Sequence, residues 1–586
     1  MSNSPRQLNL RWADTFVNSL SRYGIRNVCI TPGSRSTPLT LAFTRHPDFT
    51  AYSHIDERSG AFFALGLSKS SGLPTVLVCT SGTAGANFYP AIIEAAASET
   101  PLIVCTADRP PELHGTGANQ TIDQRHLYGR HVRWFHNVGL PSDVDAEFEK
   151  LRDATITAVE AAMSSQQGPV HLNFPFRKPL EPESLRDLPV LESVEESAEI
   201  PRDNPRPLSD DDISYIAEAI DRSQHGLILA GPLSVNRSAR ESILKIAELL
   251  SYPILADGLS GFRFGYETSQ LLIHHASDIL RSKDLPKAFF PDLILRFGRM
   301  PTSNTLNTFL SNHKKAEQIL FNQTGRIDDA THSVNRIIPC NIGELYKNIS
   351  AGFSSDISKT QATLLKYYFS AEKQIKHLVE ENSWPDDAPS EPGIFPALIP
   401  LIPAGSQLML SNSLPVRDLD WFAPSSEKDI NVYFNRGVSG IDGIISTAFG
   451  IAAQDGKPTV LVTGDLAFHH DMNGLLAWKR YQIPLTIVLI NNDGGGIFDM
   501  LPISNLDEAK YREYFQTAHG LNFRKFVEGF GGNFHSVQSR QDFRQKISQT
   551  LNSDSLDVIE VKTESKASMS HRREIWDAIA DEISVL

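Results

Sequence analysis

Three consecutive α/β domains with mainly parallel sheets are the fold class predicted for this 586-residue chain, and three observations carry the prediction. Short apolar runs recur along the whole length, most of them end in a Gly-rich or polar turn, and segments with helical spacing lie between them. Strands that alternate with helices close into parallel, doubly wound sheets. At about 100–200 residues per domain, the chain is also too long for one hydrophobic core.

In chain order, Leu8, Trp12, Phe16 and Leu20 stand at helical spacing in "LNLRWADTFVNSL", and "VCITPGS" then reads as a buried strand entering a Gly turn. "TVLVCTSGTAGANFYPAIIEAAAS" repeats strand, Gly-rich turn and helix, and "PLIVCTADRPPEL" is a strand followed by a Pro-rich loop. Ligands on such sheets bind outside the carboxyl ends of the strands. The first domain, 1–185, therefore presents "TPGSRS", "TSGTAG" and "TADRPPEL" on one rim.

From about 179 to 208, Pro and acidic residues without periodicity read as a linker. "HGLILAGPLS", "YPILADGLSG", "PDLILRFGRMP" and "EQILFNQTG" are the strand-turn units of a central α/β domain, 205–355. The polar, helix-like stretch 355–392 separates it from a third domain, 390–586. There "QLMLSNSLPVRDLD", "INVYFNRGVSGIDG", "TVLVTGDLAFHHD" and "LTIVLINNDGGGIF" again end strands in polar or Gly-rich turns. No short-period repeat is present, and the likeness of the first and third domains suggests an old duplication.

Composition narrows the function. The apolar content is ordinary, no apolar run approaches the length that crosses a bilayer, and "MSNSPRQLNLRW" lacks a signal pattern, so a cytoplasmic protein is expected. A formal net charge of −14 argues against a nucleic-acid partner. Cys29, Cys79, Cys105 and Cys340 lie far apart without a CxxC pair, which predicts buried free thiols rather than disulfides or structural zinc.

The stretch "LVTGDLAFHHDMNGL" (461–475) raises the question of a metal. His469, His470 and Asp471 are adjacent, and neighbours on a helix or strand point apart, so they chelate one ion poorly and read better as polar residues opening a helix. Asp465 differs, because it follows the run "TVLVT" and Gly464 at a strand end. The next strand ends in "NNDGGG", placing Asn492 at the matching end of a neighbour after 26 intervening residues, one helical crossover. A carboxylate, an amide oxygen and a turn carbonyl form a hard-oxygen site suited to Mg²⁺ with positions open for phosphate. The glycines let the backbone approach that phosphate.

This GD(L)…NN arrangement resembles the thiamine diphosphate motif of the decarboxylase and synthase superfamily. Together with "ITPGSRSTPL" (30–39), "HIDERSGAFFALGLSK" (54–69), "CTSGTAGANFYPAIIEA" (79–95), "TADRPPELHGTGANQTIDQ" (106–124) and "NRGVSGIDGIISTAFG" (435–450), it resembles one family closely, the 2-succinyl-5-enolpyruvyl-6-hydroxy-3-cyclohexene-1-carboxylate synthases of menaquinone biosynthesis. The resemblance covers the first and third domains and matches the central one only in layout.

It implies a thiamine diphosphate-binding fold of pyrimidine-binding, central and diphosphate-binding domains. It also implies decarboxylation of 2-oxoglutarate and 1,4-addition of the succinyl group to isochorismate. Asp465, Asn492 and the carbonyl of Gly494 would hold Mg²⁺, with Mn²⁺ as the alternative, and the metal would hold the cofactor diphosphate. Glu57 would be the acid that exchanges a proton with the aminopyrimidine ring; without the other motifs, Asp56 and Glu57 would read as residues favouring a helix N-terminus. Thr83, Ser413, Gly440, Ile441, Gly464 and Leu466 would complete the cofactor site, with Ile441 wedging the cofactor into a bent form.

Both substrates are dianions, which favours planar, bidentate guanidinium partners. Ser34, Arg35, Arg109 and Gln120 would bind them on one wall and Ser413, Arg417 and Arg436 on the other, under an apolar lid of Ile497, Phe498 and Leu501. One departure is visible: after "RFGRMPTS" the family commonly has a basic residue, where this chain has Asn304 and Thr305, with Arg299 as a possible substitute. In this superfamily Glu57 and Asp465 come from different subunits, which implies a homodimer or a pair of dimers. Three rivals remain at this stage: another thiamine-dependent 2-oxoacid decarboxylase or carboligase, a nicotinamide enzyme for which "TSGTAG" is the wrong motif, and a non-catalytic binding protein.

Overall fold

The computed structural model describes residues 5–182, 184, 188, 191–193, 198–199, 207–233, 237–266, 269–281, 290–350, 359–385 and 388–586. The domain edges expected at 185, 205 and 355 fall outside these residues, as does most of the expected linker.

The described residues form three sheets of six strands each. The first holds β1 (Asn27–Ile30), β2 (Thr50–Ser53), β3 (Thr75–Cys79), β4 (Leu102–Asp108), β5 (Phe135–Asn137) and β6 (Pro169–Pro175) in the order β2-β1-β3-β4-β6-β5. The second holds β7 (Gly226–Ala230), β8 (Ile254–Ala256), β9 (Leu272–Ile273), β10 (Leu293–Phe297), β11 (Glu317–Asn322) and β12 (Arg336–Pro339) in the order β12-β11-β10-β7-β8-β9. The third holds β13 (Gln407–Leu410), β14 (Asn431–Phe434), β15 (Thr459–Gly464), β16 (Leu485–Asn491), β17 (Asn533–Val537) and β18 (Leu556–Lys562) in the order β14-β13-β15-β16-β18-β17. The strands pair in parallel, as their buried apolar runs require.

The first and third sheets therefore share one strand order, which supports the likeness read between those domains. Each has its switch point beside its first strand: between β1 and β3 in the first sheet, between β13 and β15 in the third. A ligand crevice opens at such points. The loops leaving those four strands are the motif loops "TPGSRS", "TSGTAG", "SNS" and "GDL".

The chain condenses into two compact units. One comprises Met1–Asp203, Phe434–Gly456 and Ala467–Leu485, the other Asn204–Tyr433, Lys457–Leu466 and Thr486–Leu586. In the first unit, Trp12, Phe16 and Leu20 of the helix Pro5–Arg22 are buried against Val28, Val76, Ile103 and Phe174 of the sheet. Each such side chain contributes roughly 2–3 kcal/mol. The helices Glu57–Ser71 and Ile444–Asp455 also meet there with backbones in contact. A Cβ on Gly66 would stand 2.1 Å from the Thr447 carbonyl oxygen, and one on Gly450 2.0 Å from that of Phe63.

In the second unit, the helix Lys359–Asn382 occupies most of the stretch expected as a polar helix and buries Leu364, Tyr368, Ala371 and Ile375. All four cysteines are free and buried, and burial raises their thiol pKa values. No helix among the described residues is long and apolar enough to cross a membrane.

Candidate active site

The end of β15 in the second unit carries the most constrained group. Asp465 is 2% exposed. Its Oδ1 accepts the Leu466 N–H at 2.7 Å, and its Oδ2 accepts those of Asn492 at 3.1 Å and Gly494 at 2.9 Å. Parallel pairing of Gly464 with Ile490 brings the two loops side by side, as the crossover spacing predicted. Burial raises the Asp465 pKa against the pull of the Gly494 N–H and His519.

Asn492 is oriented from behind. Its Nδ2 donates to Glu391 Oε1 at 3.0 Å, which turns its amide oxygen the other way. Glu391, 1% exposed, also accepts from Thr563 Oγ1 at 2.7 Å and from Arg572 Nη2 at 2.7 Å. Arg572 is held in turn by Asp418, with Nε to Oδ1 at 2.9 Å and Nη2 to Oδ2 at 2.5 Å. Burial works against the charge on Glu391, but Arg572 and the Thr563 and Asn492 hydrogen bonds keep its pKa below the ordinary carboxylate value.

Gly494 has φ +136°, and a Cβ there would stand 2.1 Å from the Gln516 carbonyl oxygen, so only glycine fits. His519 faces Asp465 with Nε2 3.2 Å from Oδ2, and the Leu521 N–H donates to its Nδ1, placing the neutral ring's proton on Nε2. Across the switch point, Ser413 sits at φ +74°, a costly conformation for a non-glycine, and its carbonyl accepts from Arg417 Nη1 at 2.6 Å. Ile497 and Phe498 are half-buried and Leu501 is 48% exposed.

In the first unit, Asp56 caps the helix Glu57–Ser71 by accepting the Arg58 N–H at 2.9 Å, so Glu57 is the first helical residue. Glu57 Oε2 lies 3.5 Å from Asn87 Nδ2. Thr83 opens the short helix Thr83–Asn87 and is exposed. Ser34 is exposed, while Arg35 is 5% exposed, donates from Nη1 to the Phe176 carbonyl at 2.7 Å and leaves Nε without a partner. Arg109 donates to Ser81 Oγ, and Gln120 Nε2 to the Ser81 carbonyl at 3.0 Å.

Burial, and then the neighbouring Arg109, lower the Arg35 pKa, with buried Asp108 and Glu181 opposing. The Arg109 and Gln120 loops thus meet at Ser81, in the loop that leaves β3, with Arg35 nearby after β1. Arg436, Gly440 and Ile441 are half-buried in a loop whose Gly437 and Val438 N–H groups donate to Glu94 at 2.9 and 2.8 Å.

One sequence reading changes. The helix after β15 begins at Asp465, so His469 and His470 end it exposed rather than open it, and Asp471 is buried. The "TSGTAG" loop meets Gln124, the last residue of the 106–124 motif, whose Oε1 accepts the Gly82 N–H at 2.9 Å. In the central sheet the crevice between β7 and β10 is stitched shut: Gly231 N donates to the Phe297 carbonyl at 2.9 Å and Arg299 N to that of Pro232 at 3.0 Å. The Arg299 side chain pairs with Asp328 at 3.4 Å, and Asn304 is exposed at the start of the helix Asn304–Asn312. Sequence reasoning missed Glu391, Arg572 and His519, whose partners are distant in the chain; the sole local signal was a Glu before Pro392 and Gly393 at the end of a polar stretch.

Comparison with known proteins agrees with this layout. Residues 10–127 match the family model described as thiamine pyrophosphate enzyme, N-terminal TPP binding domain, and residues 425–561 match its C-terminal TPP binding domain counterpart. The chain is 39% identical to a 2-succinyl-5-enolpyruvyl-6-hydroxy-3-cyclohexene-1-carboxylate synthase of Geobacillus kaustophilus over 98% of each chain. It is 38% identical to the synthase of that name from Haloarcula marismortui, over 98% of this chain and 99% of the relative. A solved structure from Mycobacterium smegmatis, described as a thiamin diphosphate-dependent enzyme, superposes with a TM-score of 0.69 at 18% identity, covering 94% of this chain and 99% of that one.

Proposed function

This chain belongs to the 2-succinyl-5-enolpyruvyl-6-hydroxy-3-cyclohexene-1-carboxylate synthase family, and on that premise we propose how its residues divide the work. It is a thiamine diphosphate-dependent enzyme of menaquinone biosynthesis that decarboxylates 2-oxoglutarate and adds the succinyl group to isochorismate. The observation that carries the site assignment is the Asp465 carboxylate, held by three backbone N–H groups beside an Asn492 whose amide is oriented by Glu391.

The donor set fits a hard divalent cation. Asp465 supplies a carboxylate, Asn492 the amide oxygen turned away from Glu391, and Gly494 a carbonyl on a loop no Cβ could enter. These would hold Mg²⁺, with Mn²⁺ the alternative, and through it the cofactor diphosphate, beside Gly464, Leu466 and Ser413. Thr83, Gly440 and Ile441 in the first unit would contact the rest of the cofactor. Thiamine diphosphate, when bound, would supply a thiazolium ring that accepts the electron pair released on decarboxylation.

Glu57 would hold and pass the proton at the aminopyrimidine; it is the first residue of its helix, next to Asp56, whose side chain caps that helix. Arg35 and Arg109, with Ser34 and Gln120, bind substrate carboxylates; the unpartnered Arg35 Nε supports this. Arg436 in the first unit and Ser413 and Arg417 in the second serve the same end. Ile497, Phe498 and Leu501 exclude water. The enzyme is cytoplasmic and acts as a homodimer, or a pair of dimers, in which Glu57 of one subunit works with Asp465 of another. Undiminished turnover by a demonstrated monomer would overturn that arrangement.

The direct test follows isochorismate absorbance with purified protein, Mg²⁺ and 2-oxoglutarate, with and without thiamine diphosphate. Loss that requires both cofactor and 2-oxoglutarate is expected. Release of CO2 with isochorismate untouched would remove the acceptor assignment.

A further inference from the structure

We propose that the turn Asp471–Asn473 is a positioning device that holds the two helix starts bearing Glu57 and the Gly440–Ile441 loop. The inference rests on the roles given above to Glu57 and Ile441, and it concerns the first unit alone.

The helix Ile444–Asp455 begins from Gly443, at φ +66°, and a Cβ there would land 1.9 Å from the Phe62 ring. Its N-cap therefore cannot carry the Ser, Asp or Asn side chain that ordinarily satisfies the first N–H groups of a helix. Asp471 supplies the missing acceptor from elsewhere in the chain. It is 5% exposed; its Oδ2 accepts the Ser446 N–H at 2.6 Å and its Oδ1 the Ser446 hydroxyl at 3.0 Å. A carboxylate at that end also meets the positive pole of the helix. Gly474 lets the turn press close, since a Cβ on it would stand 2.6 Å from Ser446 Oγ.

Two residues along, Asn473 Nδ2 donates to Asp56 Oδ2 at 3.0 Å. Asp56 is the N-cap of the other helix, with Oδ1 on the Arg58 N–H and Oδ2 on Arg58 Nη2 at 2.9 Å. The residue after that cap is Glu57, and the residues before Gly443 are Gly440, Ile441 and Asp442. One short turn thus tethers the proton-transferring residue and the loop expected to bend the cofactor. The charged groups facing Asp471 are Asp56 and Arg58; burial, with Asp56 adding, pushes its pKa up to about 7 against the Ser446 hydrogen bonds and Arg58.

The test measures exchange of the C2 proton of bound thiamine diphosphate in D2O by acid quench and proton NMR. Cofactor Kd by calorimetry and apoprotein Tm accompany it, for Glu57→Gln, Asn473→Ala, Asp471→Ala and Asp471→Asn. Asn473 is exposed, so its truncation tests the device without a burial defect. Misplacement by about 1 Å costs on the order of a hundredfold, so loss of the Asn473 tether alone is expected to slow exchange about tenfold with Tm and Kd nearly unchanged. Asp471→Ala should slow exchange and weaken cofactor binding, and Asp471→Asn, which keeps an acceptor for the Ser446 N–H, should restore most of both. Unchanged exchange in Asn473→Ala and Asp471→Ala beside slow exchange in Glu57→Gln overturns the proposal and leaves the active-site reading standing. Losses that merely track Tm also overturn it. Fast exchange in Glu57→Gln would bring down the reading of Glu57 itself.

Discussion

Glu391→Gln removes one charge from the buried group behind Asn492 with almost no change of shape. Glu391 makes three hydrogen bonds, to Arg572, Thr563 and Asn492. In the variant, the remaining amide oxygen is drawn to the Arg572 guanidinium, because a hydrogen bond to a charged group contributes about 1.5–3 kcal/mol. The new NH2 then faces Thr563 and the Asn492 NH2. Two donors cannot pair, so Asn492 turns its amide over and presents nitrogen, not oxygen, to the metal position. Arg572 keeps both bonds to Asp418, so the larger cost of about 3–5 kcal/mol for an unpaired buried charge is not incurred. We expect a stability loss of about 2 kcal/mol and a fall in Mg²⁺ affinity of roughly 10–100-fold, the usual effect of removing a metal ligand's hydrogen-bond partner. Mg²⁺ titration in the presence of thiamine diphosphate, followed by calorimetry and paired with apoprotein Tm, reads both. Mg²⁺ affinity within twofold of wild type, with a lowered Tm, would refute the orienting role and leave Glu391 a structural residue.

Three further outcomes follow from the geometry. Gly494→Ala should abolish Mg²⁺-dependent cofactor binding, since the methyl would collide with the Gln516 carbonyl; wild-type affinity by calorimetry would show that the loop can move aside. Arg35→Lys should raise KM for a substrate dianion about tenfold or more with a smaller effect on kcat, because Lys cannot present the planar fork; unchanged KM for both substrates would exclude Arg35 from binding. His171 is buried with Nε2 2.7 Å from Thr106 Oγ1, and burial lowers its pKa from 6.5 to about 3. Its neutral form is favoured in the folded state, so its stabilisation is present above pH 6.5 and lost as pH falls toward 3. His171→Gln should therefore flatten the fall of Tm on acidification over that window, and an unaltered slope would contradict the assignment.

The amino-acid sequence by itself determined the alternation of strands and helices, and it placed Glu57, Asp465, Asn492 and the arginine loops at strand or helix ends. Those are local properties: an apolar run, a glycine turn and a polar residue after it are legible within a dozen positions. Strand order was not legible, because all three segments share the strand-turn-helix pattern, yet the central sheet takes a different order with a stitched crevice. Nor were the groups that orient the site. Glu391 is 101 residues from Asn492, and Arg572 is 181 from Glu391. Asp471, read as a polar residue opening a helix, is a buried cap for a helix that begins earlier in the chain. A buried polar group must find its partner wherever the fold brings one, so its role is set by contacts between distant segments, and only the tertiary structure decides them.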